Sequence, residues 1–163
     1  MNRIIFISLI IVLLSSCSYS VYSSGYPHLK TIAVIPFENS TTEYQLENDL
    51  FLDLSERFEQ DGRLSLVTFS PDCQLEGKIL DYSDKIYSYN SAGIEQYQIK
   101  ILFSIIFTDL KKNNILMKND TLVLSAEYSS SDENAEFSTE EEARKEIYKD
   151  LFDMILRETL EQW

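Results

Sequence analysis

A single histidine stands among 163 residues, with two cysteines, three prolines and four glycines. Each scarcity excludes a class of protein. Two cysteines cannot build a disulfide framework, and one histidine leaves no zinc constellation. Four glycines rule out a collagen-like repeat. None of them follows the first predicted strand, so no phosphate-cradling loop is present. Serine precedes glycine only at Ser24-Gly25, so there is no nucleophile elbow. Positive charge is also short: 14 Lys and Arg face 27 Asp and Glu, a net charge of −13. Such a chain repels nucleic acid, and it cannot lie on a membrane as a basic helix. What is plentiful is apolar and aromatic: 44% hydrophobic residues, ten Tyr and nine Phe. That composition fits one folded domain with sheet surfaces.

The first 16 residues read MNRIIFISLIIVLLSS. Arg3 supplies a short positive start. Ile4 to Leu14 form an apolar run broken only by Ser8. Eleven residues are too few to span roughly 30 Å of hydrocarbon but suit a secretory signal peptide. Leu14-Ser15-Ser16-Cys17 then resembles the bacterial lipobox, an aliphatic residue and two small ones before a cysteine. The resemblance implies a thioether to diacylglycerol at Cys17, cleavage before it, and acylation of the new amine. Two or three acyl chains anchor stably where one does not. Ser18, and not Asp, follows the cysteine. By resemblance to the Gram-negative sorting rule, the address is the periplasmic side of the outer membrane. Removing residues 1–16 takes away Arg3 and no acid, leaving 147 residues and a charge of −14. Cys73 is then the remaining thiol, expected to be a small buried hydrophobe.

The expected organisation is a signal peptide over 1–16, the lipidated Cys17 with a Ser/Tyr-rich tether over 17–29, and one domain over 30–163. His28 falls in that tether, which argues against a Cys-His pair. Thr31 to Phe37 is apolar on both faces and predicts an inner strand, with Pro36 forcing a bulge or an end. Thr42 and Gln45 fit a capping box for a helix to Asp61, closed by Gly62. Leu46, Leu50, Phe51, Leu54 and Phe58 make its apolar stripe. Leu64–Phe69 predicts a second strand. Cys73–Tyr82 predicts a third, bending at Ser83-Asp84 and continuing to Tyr89, with a hairpin turn at 90–93. Tyr97, Ile99, Ile101, Phe103, Ile105 and Phe107 alternate with polar residues, the period of a sheet covered on one side. A last strand is expected over Thr121–Tyr128. Ser138 with Glu141 then caps a long helix to about Gln162, whose stripe includes Ala143, Ile147, Leu151 and Ile155. This order predicts an α+β two-layer sandwich. Two helices would lie on one face of a mixed, mostly antiparallel sheet of four to five strands. The other face, with Glu76, Lys78, Gln98, Lys100 and Ser104, would stay open.

No catalytic constellation, cofactor site or metal site emerges. The many acids fall mostly on predicted helix surfaces and loops. Asp132-Glu133 and Glu140–Glu142 read better as solvated groups than as a Ca²⁺ site. The chain is therefore not read as an enzyme.

Several stretches in order resemble the lipopolysaccharide-assembly lipoprotein family LptE. They are the lipobox at Cys17, the tether with Tyr19, and Lys30-Thr31-Ile32-Ala33-Val34-Ile35-Pro36-Phe37-Glu38-Asn39. Next come Glu76-Gly77-Lys78-Ile79 with Tyr82, Tyr89-Asn90 with Gly93, Tyr97-Gln98-Ile99 and Thr108-Asp109. The last is the helix ending Leu160-Glu161-Gln162-Trp163. The resemblance implies a protein that plugs the lumen of the large outer-membrane β-barrel LptD. It would assist the folding of that barrel and the delivery of lipopolysaccharide to the outer leaflet. It also implies lipopolysaccharide binding through basic residues near strand ends, here Lys111, Lys112 and Lys118. Lysine pairs with phosphate, and screening near 8 Å lets a local patch act on an acidic protein.

The opening strand also resembles the curli-secretion pore family and the LpoB activator of a peptidoglycan synthase. The pore needs a lipid-facing hairpin, for which residues 73–89 are too polar. The activator needs a long tether, and a dozen residues at about 3.4 Å each fall short. A lipoprotein activator or a secretion-apparatus lipoprotein stands as the alternative reading.

Overall fold

The computed structural model describes residues 25–89, 93 and 95–161. The lipobox with Cys17, the start of the tether, most of the 90–93 turn and Trp163 lie outside the described residues. The elements are β1 (Thr31–Val34), β2 (Glu38–Asn39), α1 (Leu46–Asp61), β3 (Ser65–Leu66), β4 (Cys73–Tyr89), β5 (Glu95–Asp109), β6 (Asn114–Tyr128) and α2 (Glu140–Thr159).

The sheet runs β3-β1-β4-β5-β6, with β2 also paired to β4. The β1–β3, β1–β4 and β2–β4 pairs are parallel, and the long β4–β5–β6 meander is antiparallel. The fold is thus the expected α+β arrangement, two helices on a mixed sheet, with six strands instead of four or five. The extra strand has a local cause. Pro36 has no N–H to give, so β1 stops at Val34 and pairing to β4 resumes at Glu38.

Cross-strand register places Ile32, Cys73, Phe107 and Met117 on one face, with Leu75, Ile79, Phe103 and Leu122. All are buried. The apolar stripes of both helices join them in one core: Leu46, Leu50, Leu54 and Phe58 from α1, and Ala143, Ile147, Leu151 and Ile155 from α2. Each Leu, Ile or Phe among them, fully buried, stabilises by roughly 1.5–3 kcal/mol. Phe58 and Phe152 meet edge to face at 4.9 Å between ring centres, locking the two helices together.

Several local expectations are corrected. The first helix begins at Leu46, not Thr42, and Gln45 precedes it at φ 68° with no side-chain cap. Asn39 accounts for the delay. Its amide donates to the Glu43 carbonyl and the Glu47 carboxylate, and its oxygen accepts from the Thr41 N–H. Residues 40–45 are held in that turn. The last helix is capped by Thr139 with Glu142, one residue beyond the expected box. The second strand shrinks to two residues, and β6 begins seven residues earlier than expected. β4 does not bend at Ser83-Asp84; its register shifts lie at Ile79/Asp81 and Ile86/Ser88.

Residues 25–29, read as the end of the tether, are docked on the domain. Gly25 N–H donates to the Leu160 carbonyl at 3.2 Å. Leu29 is buried, and Tyr26 packs against the core.

Candidate functional site

Two surfaces carry the residues singled out in the sequence. The first is the pole where the chain enters the domain. Here residues 25–31, the 69–72 loop and the β5–β6 turn are woven together by backbone bonds. Asp72 N–H donates to the Thr31 carbonyl, and Leu110 N–H donates to the Asp72 carbonyl. The Asp72 carboxylate accepts from the backbone N–H groups of Lys30 and Thr31, at 2.8 and 3.1 Å. Lys111 Nζ lies 3.0 Å from its other oxygen. The Lys30 hydrogen bond, followed by that of Lys111, holds the Asp72 pKa down to about 2.

One strand away sits Asp109, whose side chain is nearly inaccessible. Burial pushes its pKa up, but hydrogen bonds from His28 and the Lys112 backbone outweigh that, and the net shift is downward. His28 Nε2 lies 2.5 Å from Asp109 Oδ2, and Lys112 N–H donates to Oδ1 at 2.9 Å. The histidine read as a tether residue is therefore a clasp on the β5–β6 turn. Nothing in its spacing announces this, because its partner lies 81 residues away.

Cys73 is paired in register with Asp109 and fully buried. Its thiol donates to the Thr31 carbonyl, and burial pushes its pKa up to about 12. A thiol so protonated is packing and not a nucleophile. Among the described residues, no three of His, Cys, Asp and Glu are grouped to hold a metal ion.

The structure separates the three candidate lysines. Lys111 and Lys112 lie in the β5–β6 turn. Lys118 lies within β6, opposite Ile106, with its ammonium 3.2 Å from Asp120. Lys111 is tied to Asp72, whereas Lys112 has no ion-pair partner among the described residues.

The second surface is the uncovered face of the meander. Rows across β4, β5 and β6 read Glu76, Ile106, Lys118 and then Asp81, Leu102, Val123. Polar residues and lysines thus flank a short apolar band, in which Val123 is exposed. Lys85 and Lys100, diagonal neighbours here, line a shallow hollow of about 290 Å³. The alternation along β4 and β5 marked Lys100 as outward-facing. Lys85 follows by the same count once the register shift beside Leu80 is known.

A family model for LptE, described as lipopolysaccharide-assembly, matches residues 29–159. No curated protein matches this sequence. Solved structures share the fold. CT253 of Chlamydia trachomatis superposes with a TM-score of 0.55 at 10% identity, covering 79% of this chain and 96% of that one. An uncharacterized lipoprotein B of Nitrosomonas europaea gives 0.52 at 16%, covering 79% and 81%. XCC0632 of Xanthomonas campestris gives 0.51 at 13%, covering 81% and 89%. At such identities these structures speak for the fold alone. The family match spans most of the chain, and the chain belongs to the lipopolysaccharide-assembly family LptE.

Proposed function

We propose that the protein is a non-enzymatic outer-membrane lipoprotein, acylated at Cys17. On this reading it lodges in the lumen of an LptD-type β-barrel and assists lipopolysaccharide transport to the outer leaflet. The family match over residues 29–159 carries this reading. Two features support it. The helices cover one face of the sheet only, and the free face is mostly polar, as a body in a hydrated lumen requires. The leader and LLSSC motif supply the address. Lipopolysaccharide phosphates would meet Lys111, Lys112 and Lys118, where lysine offers the charge-assisted contact.

Mild detergent extraction followed by affinity capture tests the partner. One large β-barrel should co-purify in near-equal amount. Recovery with a peptidoglycan synthase and no barrel would replace this reading with the activator alternative. Cys17→Ala tests the anchor separately: lipid labelling and outer-membrane fractionation should both be lost, and retained fractionation overturns the lipoprotein reading.

A further inference from the structure

We infer that the cleft between α1 and α2 is a docking site for a lysine side chain of a protein partner, whose ammonium group meets Tyr148 and Asp49. The inference stands on the residues of the cleft, independently of the family match and of acylation at Cys17. The two helices are joined where the Arg57 guanidinium donates to the Lys145 carbonyl at 3.3 Å. Beside that bond they leave a hollow of about 420 Å³, open to solvent. Asp49, Leu52 and Glu56 line one wall, and Arg144, Lys145 and Tyr148 the other.

Tyr148 is 2% exposed, and its hydroxyl is buried with no hydrogen-bond partner among the described residues. A buried hydroxyl without a partner is costly, and a native fold that keeps one has a reason for it. The core does not ask for this group. Phe152, one turn further along α2, serves the same buried stripe with a plain phenyl ring. Burial pushes the Tyr148 pKa up; Arg144 opposes the rise, and Asp49, Asp53 and Glu140 add to it. Three of those four charges line the cleft, so the hydroxyl is aimed at its floor.

The charge of the cleft selects the occupant. Its cations are already spent: Arg57 pairs with Asp53, Arg144 with Glu140 and Lys145 with Glu141. Asp49 and Glu56 make no ion pair among the described residues, and Glu56 accepts a neutral amide hydrogen from Gln60. Two negative charges are left over, so the occupant is a cation. No three of His, Cys, Asp and Glu are grouped among the described residues to hold a metal ion, which leaves an organic cation. The acceptors come from different helices, Asp49 from α1 and Tyr148 from α2. A compact ammonium with three rotatable donors reaches both more readily than a planar guanidinium fork. Leu52, 56% exposed, gives apolar surface beside them for a methylene stem. A lysine side chain brings that stem and that charge together.

The test uses the full mature chain with Cys17→Ala, which keeps it free of lipid, and follows its amide resonances by NMR. n-Butylammonium, a lysine side chain without its backbone, should shift the amides of Asp49, Leu52, Lys145 and Tyr148 saturably. Tetramethylammonium has the same charge and no N–H, and should bind about five-fold or more weakly. Acetyl-Gly-Lys-Gly-amide should shift the same amides as butylammonium. Tyr148→Phe should weaken both ligands about five-fold or more, with the thermal unfolding midpoint unchanged or raised. Asp49→Asn should weaken them too. Glu158→Gln, which changes an exposed acid near the other end of α2, should leave binding as it is.

No saturable shift, equal binding of the two ammonium ions, or full binding by Tyr148→Phe overturns the inference. So does a peptide that leaves these amides unmoved while butylammonium shifts them, since the cleft would then admit free amines and not a side chain on a backbone. A lowered unfolding midpoint in Tyr148→Phe would show the hydroxyl already bonded within the fold, and overturns it as well.

Discussion

The ring of Phe37 lies directly over the backbone of Gly77. A Cβ added at Gly77 would fall 2.6 Å from Phe37 Cε2 and 2.4 Å from the Ser104 carbonyl oxygen. The glycine thus leaves room for the Phe37 ring between β1 and β2, both of which pair in parallel with β4. Gly77→Ala should destabilise by about 1–3 kcal/mol, the usual cost of overpacking. Phe37→Ala, which empties a buried site, should cost about 3–5 kcal/mol. Urea midpoints should show the double variant costing less than the two single changes together, because the ring contact is shared.

The sequence Ser138-Thr139-Glu140-Glu141-Glu142 permits two capping boxes, and the structure selects the second. Thr139 Oγ1 accepts from Glu142 N–H at 3.2 Å, while the Glu142 carboxylate accepts from the N–H groups of Ser138 and Thr139. Thr139→Ala should therefore cost about 1 kcal/mol, and Ser138→Ala almost nothing. Equal losses in thermal unfolding would place the cap at the wrong residue.

These elements show what was legible and what was not. The Ile99–Phe107 alternation was read correctly because β5 is central and one of its faces is fully covered. The start of β6 was missed because register shifts at Phe103/Ile105 and Phe107/Thr108 break the two-residue period across Ile115-Leu116-Met117. The Thr42 cap was misplaced because Asn39 competes for the same turn, three residues earlier and through its side chain. Alternation along β4 and β5 revealed the open sheet face, but not the entry pole. That pole is assembled from three segments far apart in sequence, and its central contact, His28 to Asp109, leaves no local pattern.

Acid should loosen this pole before the rest of the core. The Asp72 pKa is lowered from 3.8 to about 2, and that of Asp109 is lowered too. A folded-state pKa below the unfolded one means that the unfolded chain binds more protons in acid. The stabilisation is complete above the ordinary value of 3.8 and is lost as the pH falls through about 2. Unfolding midpoints taken from pH 6 to pH 2 should fall along that limb. Asp72→Asn should flatten the limb and lower the midpoint at neutral pH, since its amide would face Lys111. An unaltered acid limb in that variant would remove Asp72 from the account.

The Cys73 thiol should resist alkylation in the folded protein. It has no accessible surface, and burial holds its pKa near 12. Iodoacetamide at pH 8 should label it only with the unfolding rate, reaching full labelling in denaturant. Rapid labelling of the native protein would show that the β1–β4 edge opens.

The three lysines assigned to glycolipid differ in what they would lose. Lys111 spends its charge on Asp72, so Lys111→Glu sets two carboxylates together and should lower stability as well as lipopolysaccharide binding. Lys112 is exposed and has no ion-pair partner among the described residues, so Lys112→Glu should lower binding with the fold intact. Lys118 stands apart on the sheet face, beside Asp120, and Lys118→Glu should weaken binding to lipopolysaccharide with the fold intact. Each lost phosphate contact removes a charge-assisted hydrogen bond, about 1.5–3 kcal/mol when it is well formed. Titration of purified lipopolysaccharide into each variant measures this directly. If Lys112→Glu and Lys118→Glu bind as the native chain does, the glycolipid contact lies elsewhere, and Lys85 and Lys100 on the open face, which have no ion-pair partner among the described residues, are the next positions to change.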